Sequence, residues 1–119
     1  MEALRSAIED ARSRYVSANP QSQAADKNAE RYLPGGNTRS VLYYEPFPLT
    51  VASGNGAELT DLDGHTYVDF VGEYSAALFG HSNEIIKSAI HEALDNGVAM
   101  GAPTQYEREL ARLLCERFP

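Results

Sequence analysis

The chain has 119 residues, of which 43% are hydrophobic and 23% are charged, a composition typical of a folded domain and not of a disordered segment. The net charge of -7 and the scattered basic residues argue against a nucleic-acid partner, and no apolar run is long enough to span a membrane. The single cysteine excludes an internal disulfide and, with no secretory signal at the N-terminus, predicts a cytoplasmic protein.

The N-terminal region is predicted to be helical, because apolar side chains recur at steps of three and four between residues 2 and 18. Asn19-Pro20 ends this helix, since the residue before a proline is pushed out of the helical conformation. A second, short helix is predicted over residues 22–32, and Pro34-Gly35-Gly36 stops it.

From residue 48 onward the hydrophobic period changes to two, which is typical of strands. Short strands are predicted at residues 49–52, 57–61 and 66–70, with tight turns at Gly54-Asn55-Gly56 and Asp63-Gly64. This arrangement predicts a three-stranded antiparallel meander. Neither the aspartates of the second turn nor the three histidines have the spacing of a calcium or zinc motif, so no metal site is predicted.

Helical periodicity returns after Gly80-His81-Ser82, which marks a predicted strand-to-helix junction. One helix is predicted to end at Asn96-Gly97, and the next to begin with a capping box between Thr104 and Glu107. A small meander cannot cover so much apolar helical surface, so the chain is expected to be a fragment of a larger protein. The last helix is expected to bury one side, made of Tyr106, Leu110, Leu113, Leu114 and Phe118.

Arg39 is the strongest candidate for a binding residue. It lies in an uncharged stretch, residues 37–44, that ends in two tyrosines. A guanidinium that faces a cleft can hold a carboxylate through two parallel hydrogen bonds. The residue types and their spacing leave two interpretations open: a surface ion pair, which is the commoner outcome, and a substrate-binding arginine.

Several segments occur in an order and spacing that together form a specific pattern. They are Leu33-Pro34-Gly35-Gly36-Asn37-Thr38-Arg39, the stretch from Gly56 to Phe70, and Gly80-His81-Ser82. This ordered set resembles the start of the class III aminotransferases. Residues 101–104 and the helix after them resemble glutamate-1-semialdehyde aminomutases. Residues 39–44 and Glu73-Tyr74-Ser75-Ala76 resemble aminotransferases that act on β-amino acids such as β-phenylalanine.

The resemblance implies an α/β enzyme of fold type I that uses pyridoxal 5'-phosphate (PLP) as its cofactor. The 119-residue segment by itself is α+β. Residues 1–80 would supply the helices and the meander of the small domain. Residues 81–119 would be the entry helices of the PLP-binding large domain. The complete enzyme is expected to be a homodimer that binds a small-molecule amino acid and a keto acid.

The resemblance also assigns roles to individual residues of this chain. Arg39 would bind the substrate carboxylate, and Tyr74 and Ser75 would line the substrate pocket. Val51, together with Ala52, would add apolar wall to that pocket. The rim of the cofactor site or of the subunit interface would be formed by Gly101, Ala102, Pro103 and Thr104.

The family attaches PLP as a Schiff base to a lysine far downstream, whereas this chain has only Lys27 and Lys87, each in a predicted helix. No catalytic residue is therefore predicted, and the chain alone is expected to be inactive. As part of the complete enzyme it would help to transfer an amino group between an amino acid, with a β-amino acid favoured, and a keto acid. An aminomutase of the glutamate-1-semialdehyde type and a non-catalytic dimerisation or binding module stay open as alternatives.

Overall fold

A computed structural model describes residues 1–119 as four α-helices and one three-stranded antiparallel sheet with the strand order β1-β2-β3. This α+β architecture confirms the prediction for the chain. Two compact units are present, residues 1–83 and residues 84–119. The elements are α1 (Glu2–Ala18), α2 (Pro20–Ala29), β1 (Val51–Asn55), β2 (Glu58–Asp61), β3 (Thr66–Val68), α3 (Glu84–Asp95) and α4 (Gln105–Arg117).

Helix α2 begins earlier and ends earlier than the predicted range of 22–32. Pro20 occupies its first turn, where a missing backbone N–H costs nothing because that position has no helical acceptor. At its other end the N–H groups of Tyr32 and Leu33 both bond to the carbonyl of Ala29, at 3.0 and 2.8 Å. These bonds form a turn in place of the last predicted helical residues.

The meander is present, but its three strands differ from the predicted ranges, the second only by starting at residue 58 instead of 57. Asn55 pairs with Glu58, so Gly54 and Asn55 belong to β1 and the turn consists of Gly56 and Ala57. Gly56 has a φ of 55°, a left-handed conformation that glycine adopts without a steric penalty. The third strand ends at residue 68, because the side chain of Asp69 starts a turn there.

The first unit has a small core around Phe47, which is 2% exposed and is the one buried hydrophobic side chain of the chain. The Tyr15 hydroxyl, on α1, donates to the Phe47 carbonyl at 2.8 Å, and the two rings lie 5.1 Å apart. Burial raises the pKa of Tyr15. An ion pair of 2.8 Å between Arg12 and Glu45 joins the same two segments at the surface.

Asp63, in the turn between β2 and β3, attaches helix α2 to the meander. Its carboxylate accepts the backbone N–H groups of Gln21 and Ser22, at 2.8 and 3.0 Å, and the Ser22 hydroxyl at 2.9 Å. Ser22 is completely buried. The carboxylate thus satisfies donors at the start of the helix, where negative charge is favoured. Burial by itself would raise the pKa of Asp63, but the bonds from Gln21 and Ser22 lower it.

Asp61, at the end of β2, is 3% exposed and is surrounded by donors. Its carboxylate accepts the backbone N–H of His65 at 2.8 Å and the Tyr67 hydroxyl at 2.9 Å. Its Oδ2 also lies 3.0 Å from His65 Nδ1. Burial opposes ionisation, but the His65 and Tyr67 bonds lower the pKa of Asp61. Burial and the Asp61 carboxylate raise the pKa of Tyr67 to about 12. The predicted turn at Asp63-Gly64 is therefore stabilised by the Asp61 side chain, whereas that of Asp63 bonds to α2.

The second unit consists of α3 and α4, and its predicted helix ends are confirmed. Gly97 has a φ of 103° and its N–H bonds to the Leu94 carbonyl at 3.0 Å. The capping box is present, with the Thr104 N–H bonded to Glu107 Oε2 at 2.6 Å. The expected burial of one side of α4 is wrong for this chain, since neither helix has a buried residue. The apolar side chains of α4 at positions 106, 110, 113 and 114, and that of Phe118 just after it, are all exposed.

Candidate functional site

Arg39 lines a cavity of about 800 Å³ in the first unit, which we call the Arg39 cavity. A short 3-10 turn, Pro34–Gly36, precedes the arginine, and Gly35 and Gly36 within it have φ values of 69° and 71°. The second of these left-handed glycines lies close to α2, since a Cβ at Gly36 would lie 3.3 Å from the Glu30 side chain. The other lining residues are Glu30, Leu33, Pro34, Gly35, Asn37, Thr38, Ser40 and Tyr43.

The Arg39 guanidinium makes an ion pair across the sequence with Glu73. Nη1 of Arg39 lies 2.5 Å from Oε1 of Glu73. The two side chains are 55% and 44% exposed, so water reaches both of them. The structure shows the surface ion pair that the sequence left open, and Arg39 also lines a concave surface. Its role in binding a substrate carboxylate remains a prediction.

Glu73 belongs to an unusual turn, Gly72–Ser75, in which four consecutive residues have positive φ. The values are 53° for Gly72, 48° for Glu73, 56° for Tyr74 and 94° for Ser75. Residues with a side chain adopt this conformation at an energetic cost of about 1–2 kcal/mol each. Such strain persists only where surrounding contacts impose it, and it concentrates at functional sites. The predicted pocket residues Tyr74 and Ser75 lie in this turn, next to the partner of Arg39.

Asp69 holds the Gly72–Ser75 turn. Its Oδ1 accepts the backbone N–H groups of Val71 and Gly72, both at 2.9 Å, and its Oδ2 lies 2.8 Å from His81 Nε2. The bonds from Gly72 and Val71, followed by that from His81, lower the pKa of Asp69. An ionised carboxylate therefore fixes the start of the turn that carries Glu73.

His81 and Ser82 join this network to the first hairpin of the sheet. The His81 N–H bonds to the Gly56 carbonyl at 3.0 Å, and the Ser82 hydroxyl bonds to the Gly54 carbonyl at 2.6 Å. A Cβ at Gly54 would lie 2.8 Å from the His81 side chain, so the strand needs glycine there. The expectation of a strand-to-helix junction at Gly80-His81-Ser82 is wrong, because turns and not a strand precede the tripeptide.

The other residues that the sequence singled out lie elsewhere. Val51 is on β1, opposite Asp61, and is 51% exposed, while the Arg39 cavity is formed by residues 30–43. Residues 101–104 belong to the second unit, where Gly101 has a φ of 65° and Thr104 is the N-cap of α4. The roles assigned to Val51, Tyr74, Ser75, Gly101, Ala102, Pro103 and Thr104 remain predictions.

Sequence reasoning missed Glu73 and Asp69 as parts of the site. Glu73 stood within a motif that was used for the resemblance, but no rule of composition or spacing pairs it with an arginine 34 positions earlier. The Asp69-x-Val71-Gly72 spacing was a usable signal, because an aspartate commonly accepts N–H groups two or three residues later.

The lysines of this chain do not fit the attachment of PLP. Lys27 and Lys87 lie on helices α2 and α3, and neither lines the Arg39 cavity. Lys87 is half exposed and its Nζ is bound to Glu84 at 2.9 Å.

No group of three or more His, Cys, Asp or Glu side chains is arranged to hold a metal ion. No helix combines the length and the apolar character needed to cross a bilayer.

The known proteins that are similar to this chain agree with one another in kind. β-Phenylalanine transaminase of Variovorax paradoxus is 50% identical over 117 residues, which is 98% of this chain and 27% of that relative. A crystal structure of a β-phenylalanine aminotransferase from the same organism superposes with a TM-score of 0.92, covering 97% of this chain and 27% of that one. The chain thus spans about a quarter of the length of the relatives it matches.

Two further relatives extend the comparison. Glutamate-1-semialdehyde 2,1-aminomutase 2 of Bacillus licheniformis is 36% identical over 102 residues, which cover 83% of this chain and 24% of that protein. A solved structure described as a transaminase with PLP bound has a TM-score of 0.80 and 36% identity, covering 83% of this chain and 23% of that one. The sequence model described as "Aminotransferase class-III" matches residues 41–119. The chain therefore belongs to the class III aminotransferase family.

Proposed function

We propose that this chain is the N-terminal, carboxylate-binding part of a PLP-dependent aminotransferase that transfers an amino group between an amino acid and a keto acid. The observation that carries the proposal is that Arg39 lines a cavity of about 800 Å³. Both substrates of such a reaction carry a carboxylate, and a guanidinium can bind either one at the same place.

Arg39 would act by binding and orientation. Its planar group can donate two parallel N–H bonds to a carboxylate, which fixes the direction of the bond to the rest of the substrate. Leu33 and Tyr43 supply apolar and aromatic surface in the same cavity. This combination supports a substrate with a carboxylate and an apolar body. The similarity to β-phenylalanine transaminase favours a β-amino acid as the donor.

PLP enters the proposal through the family, since a solved relative is a transaminase with PLP bound. Because neither Lys27 nor Lys87 is placed to carry it, we assign its attachment to polypeptide outside these 119 residues. The role of residues 1–80 as part of the small domain and of residues 81–119 as the entry to the large domain belongs to the same proposal. The same proposal gives Tyr74, Ser75 and Val51 roles in the substrate pocket. It places residues 101–104 at the rim of the cofactor site or of the subunit interface.

A homodimeric state and a cytoplasmic location complete the proposal. The exposed apolar side chains of α3 and α4, for example Leu94 and Leu110 at 53% and 58% exposure, support contact with further protein surface. Side chains of this kind are normally covered in the assembled molecule. A single free cysteine is consistent with a reducing compartment.

The experiment is an activity assay on the PLP-loaded polypeptide that contains this chain, identified by its intact mass. With β-phenylalanine as the donor, we expect amino transfer that depends on an added keto acid. The 119-residue chain mixed with PLP is the control, and no transfer is expected from it. Product formation from a single substrate without a keto acid would instead identify an aminomutase. No amino transfer in either format would contradict the proposal.

A further inference from the structure

We propose that Glu73 is an internal competitor for the carboxylate site on Arg39 and thereby determines which acids bind there. This inference rests on the proposed role of Arg39 as the carboxylate-binding residue. Glu73 presents to the guanidinium the same chemical group that a substrate would present. The side chain of Glu73 occupies a donor of Arg39 that a substrate carboxylate would use.

The geometry of the ion pair makes it displaceable. The contact of 2.5 Å joins one nitrogen, Nη1 of Arg39, to one oxygen, Oε1 of Glu73. A guanidinium has five N–H donors in a fork, so a carboxylate that binds in bidentate fashion makes better use of it. Both side chains are about half exposed, and exposed ion pairs of this kind are weak. A ligand carboxylate can therefore replace Glu73 without a large penalty.

The backbone places Glu73 opposite Arg39 against its local preference. Glu73 has φ and ψ values of 48° and 45°, within the strained Gly72–Ser75 turn. Asp69 fixes the start of this turn through the N–H groups of Val71 and Gly72. Asp69 is itself fixed by His81 at 2.8 Å. A merely solvated glutamate would need none of this support, so the strain is consistent with a defined task for the side chain.

Competition by Glu73 has a consequence for specificity. After a monocarboxylate displaces it, the Glu73 carboxylate would remain near Arg39 as a negative charge, because its backbone is held by the Gly72–Ser75 turn. A ligand with a second carboxylate near that place would be repelled, because like charges in proximity are unfavourable. The Glu73 side chain would therefore weaken the binding of all carboxylates and would disfavour dicarboxylates more than monocarboxylates.

The test measures ligand binding to the 119-residue chain by NMR, following the Arg39 Nε–H signal at constant ionic strength. The probes are 3-phenylpropanoate, a monocarboxylate, and phenylsuccinate, which carries a second carboxylate. Glu73→Gln is expected to tighten 3-phenylpropanoate binding about two- to five-fold, the effect of removing one exposed ion pair. It is expected to tighten phenylsuccinate binding by a larger factor. Glu73→Gly removes the same carboxylate and tolerates the left-handed backbone, so it covers the case of a Gln variant that folds poorly.

Two further variants separate failure of this inference from failure of the proposed function. Glu45→Gln removes one charge from another exposed arginine pair in the same unit, that of Arg12, and should leave both affinities unchanged. Arg39→Gln should abolish the binding of both probes, as followed by the remaining signals of the Arg39 cavity. If Arg39→Gln binds as well as the wild type, the carboxylate role of Arg39 is wrong. If Arg39 is required but neither Glu73 variant binds more tightly, that role stands and competition by Glu73 is overturned.

Discussion

Asp63 and Ser22 are 41 positions apart in the sequence and are joined by two hydrogen bonds to the same carboxylate oxygen. Oδ2 of Asp63 accepts the Ser22 backbone N–H at 3.0 Å and the Ser22 hydroxyl at 2.9 Å. The Ser22 hydroxyl in turn accepts the Thr50 N–H at 3.3 Å, so the start of α2, the approach to β1 and the β2–β3 turn meet at one buried side chain.

Replacement of Asp63 by alanine should loosen α2 from the meander. The variant leaves the Gln21 and Ser22 N–H groups without their acceptor and the buried Ser22 hydroxyl without one of its partners. We expect the melting temperature to fall by about 5 °C, measured by circular dichroism. Asp10→Ala, which removes a carboxylate from an exposed pair with Arg14 on α1, is the control and should melt like the wild type. If Asp63→Ala and Asp10→Ala have the same melting temperature, Asp63 does not hold α2 on the meander.

Phe47 is expected to organise the small hydrophobic core of the first unit. Its ring is 2% exposed and packs on Tyr15, so Phe47→Ala removes the one buried hydrophobic side chain of the first unit. We expect a loss of about 3–5 kcal/mol in the free energy of unfolding, measured by urea titration. Phe70→Ala deletes the same side chain where it is 94% exposed and should change this free energy by less than about 0.5 kcal/mol. Similar losses for both would show that Phe47 does not organise a core.

Acid should destabilise the first unit through Asp61, Asp63 and Asp69. Hydrogen bonds lower the pKa of each of these carboxyls below the ordinary value of 3.8. A folded-state pKa below the unfolded value means that the folded state binds protons less readily. The stabilisation is therefore complete above about pH 4 and is lost as the pH falls through the lower folded-state values.

The measurement is the melting temperature between neutral pH and pH 2.5. Asp61→Asn should flatten the acid limb of this curve, because it removes a buried carboxylate with three bonds. Asp95→Asn changes a carboxylate at the end of α3, in the other unit, and should leave the limb unchanged. An acid limb that is the same in the wild type and in Asp61→Asn would rule out this residue as a contributor.

The sequence predicted the class of every regular element, because hydrophobic periods of 3.6 and 2 reflect the local geometry of helices and strands. It misplaced the first turn of the meander, since Gly54 and Asn55 looked like turn residues. Gly54 is glycine for another reason, the close approach of His81 from 27 residues away. Contacts between distant segments leave no local pattern, and such contacts decided this boundary.

The same limit applies to the candidate site. Arg39 could be singled out because a lone cation beside aromatic residues is unusual in composition. Its partner Glu73 could not, because its position depends on three residues with side chains in a left-handed turn. Propensity gives such a turn almost no weight. The turn is held by Asp69 with its bond to His81 and by backbone bonds such as that from the Ala77 N–H to the Gly72 carbonyl, contacts that become visible with the folded backbone.

The most direct test of the account is the kinetic effect of Arg39 substitution in the PLP-loaded enzyme that carries this chain. For Arg39→Lys we expect the KM for β-phenylalanine to rise by at least about tenfold, with a smaller change in kcat and an unchanged affinity for PLP, because lysine cannot make the bidentate contact. Arg12→Lys, at the exposed pair with Glu45, is the matched control and should behave like the wild type. An unchanged KM in Arg39→Lys, or an equal loss of affinity for β-phenylalanine and for PLP, would contradict the assignment of the carboxylate site to Arg39.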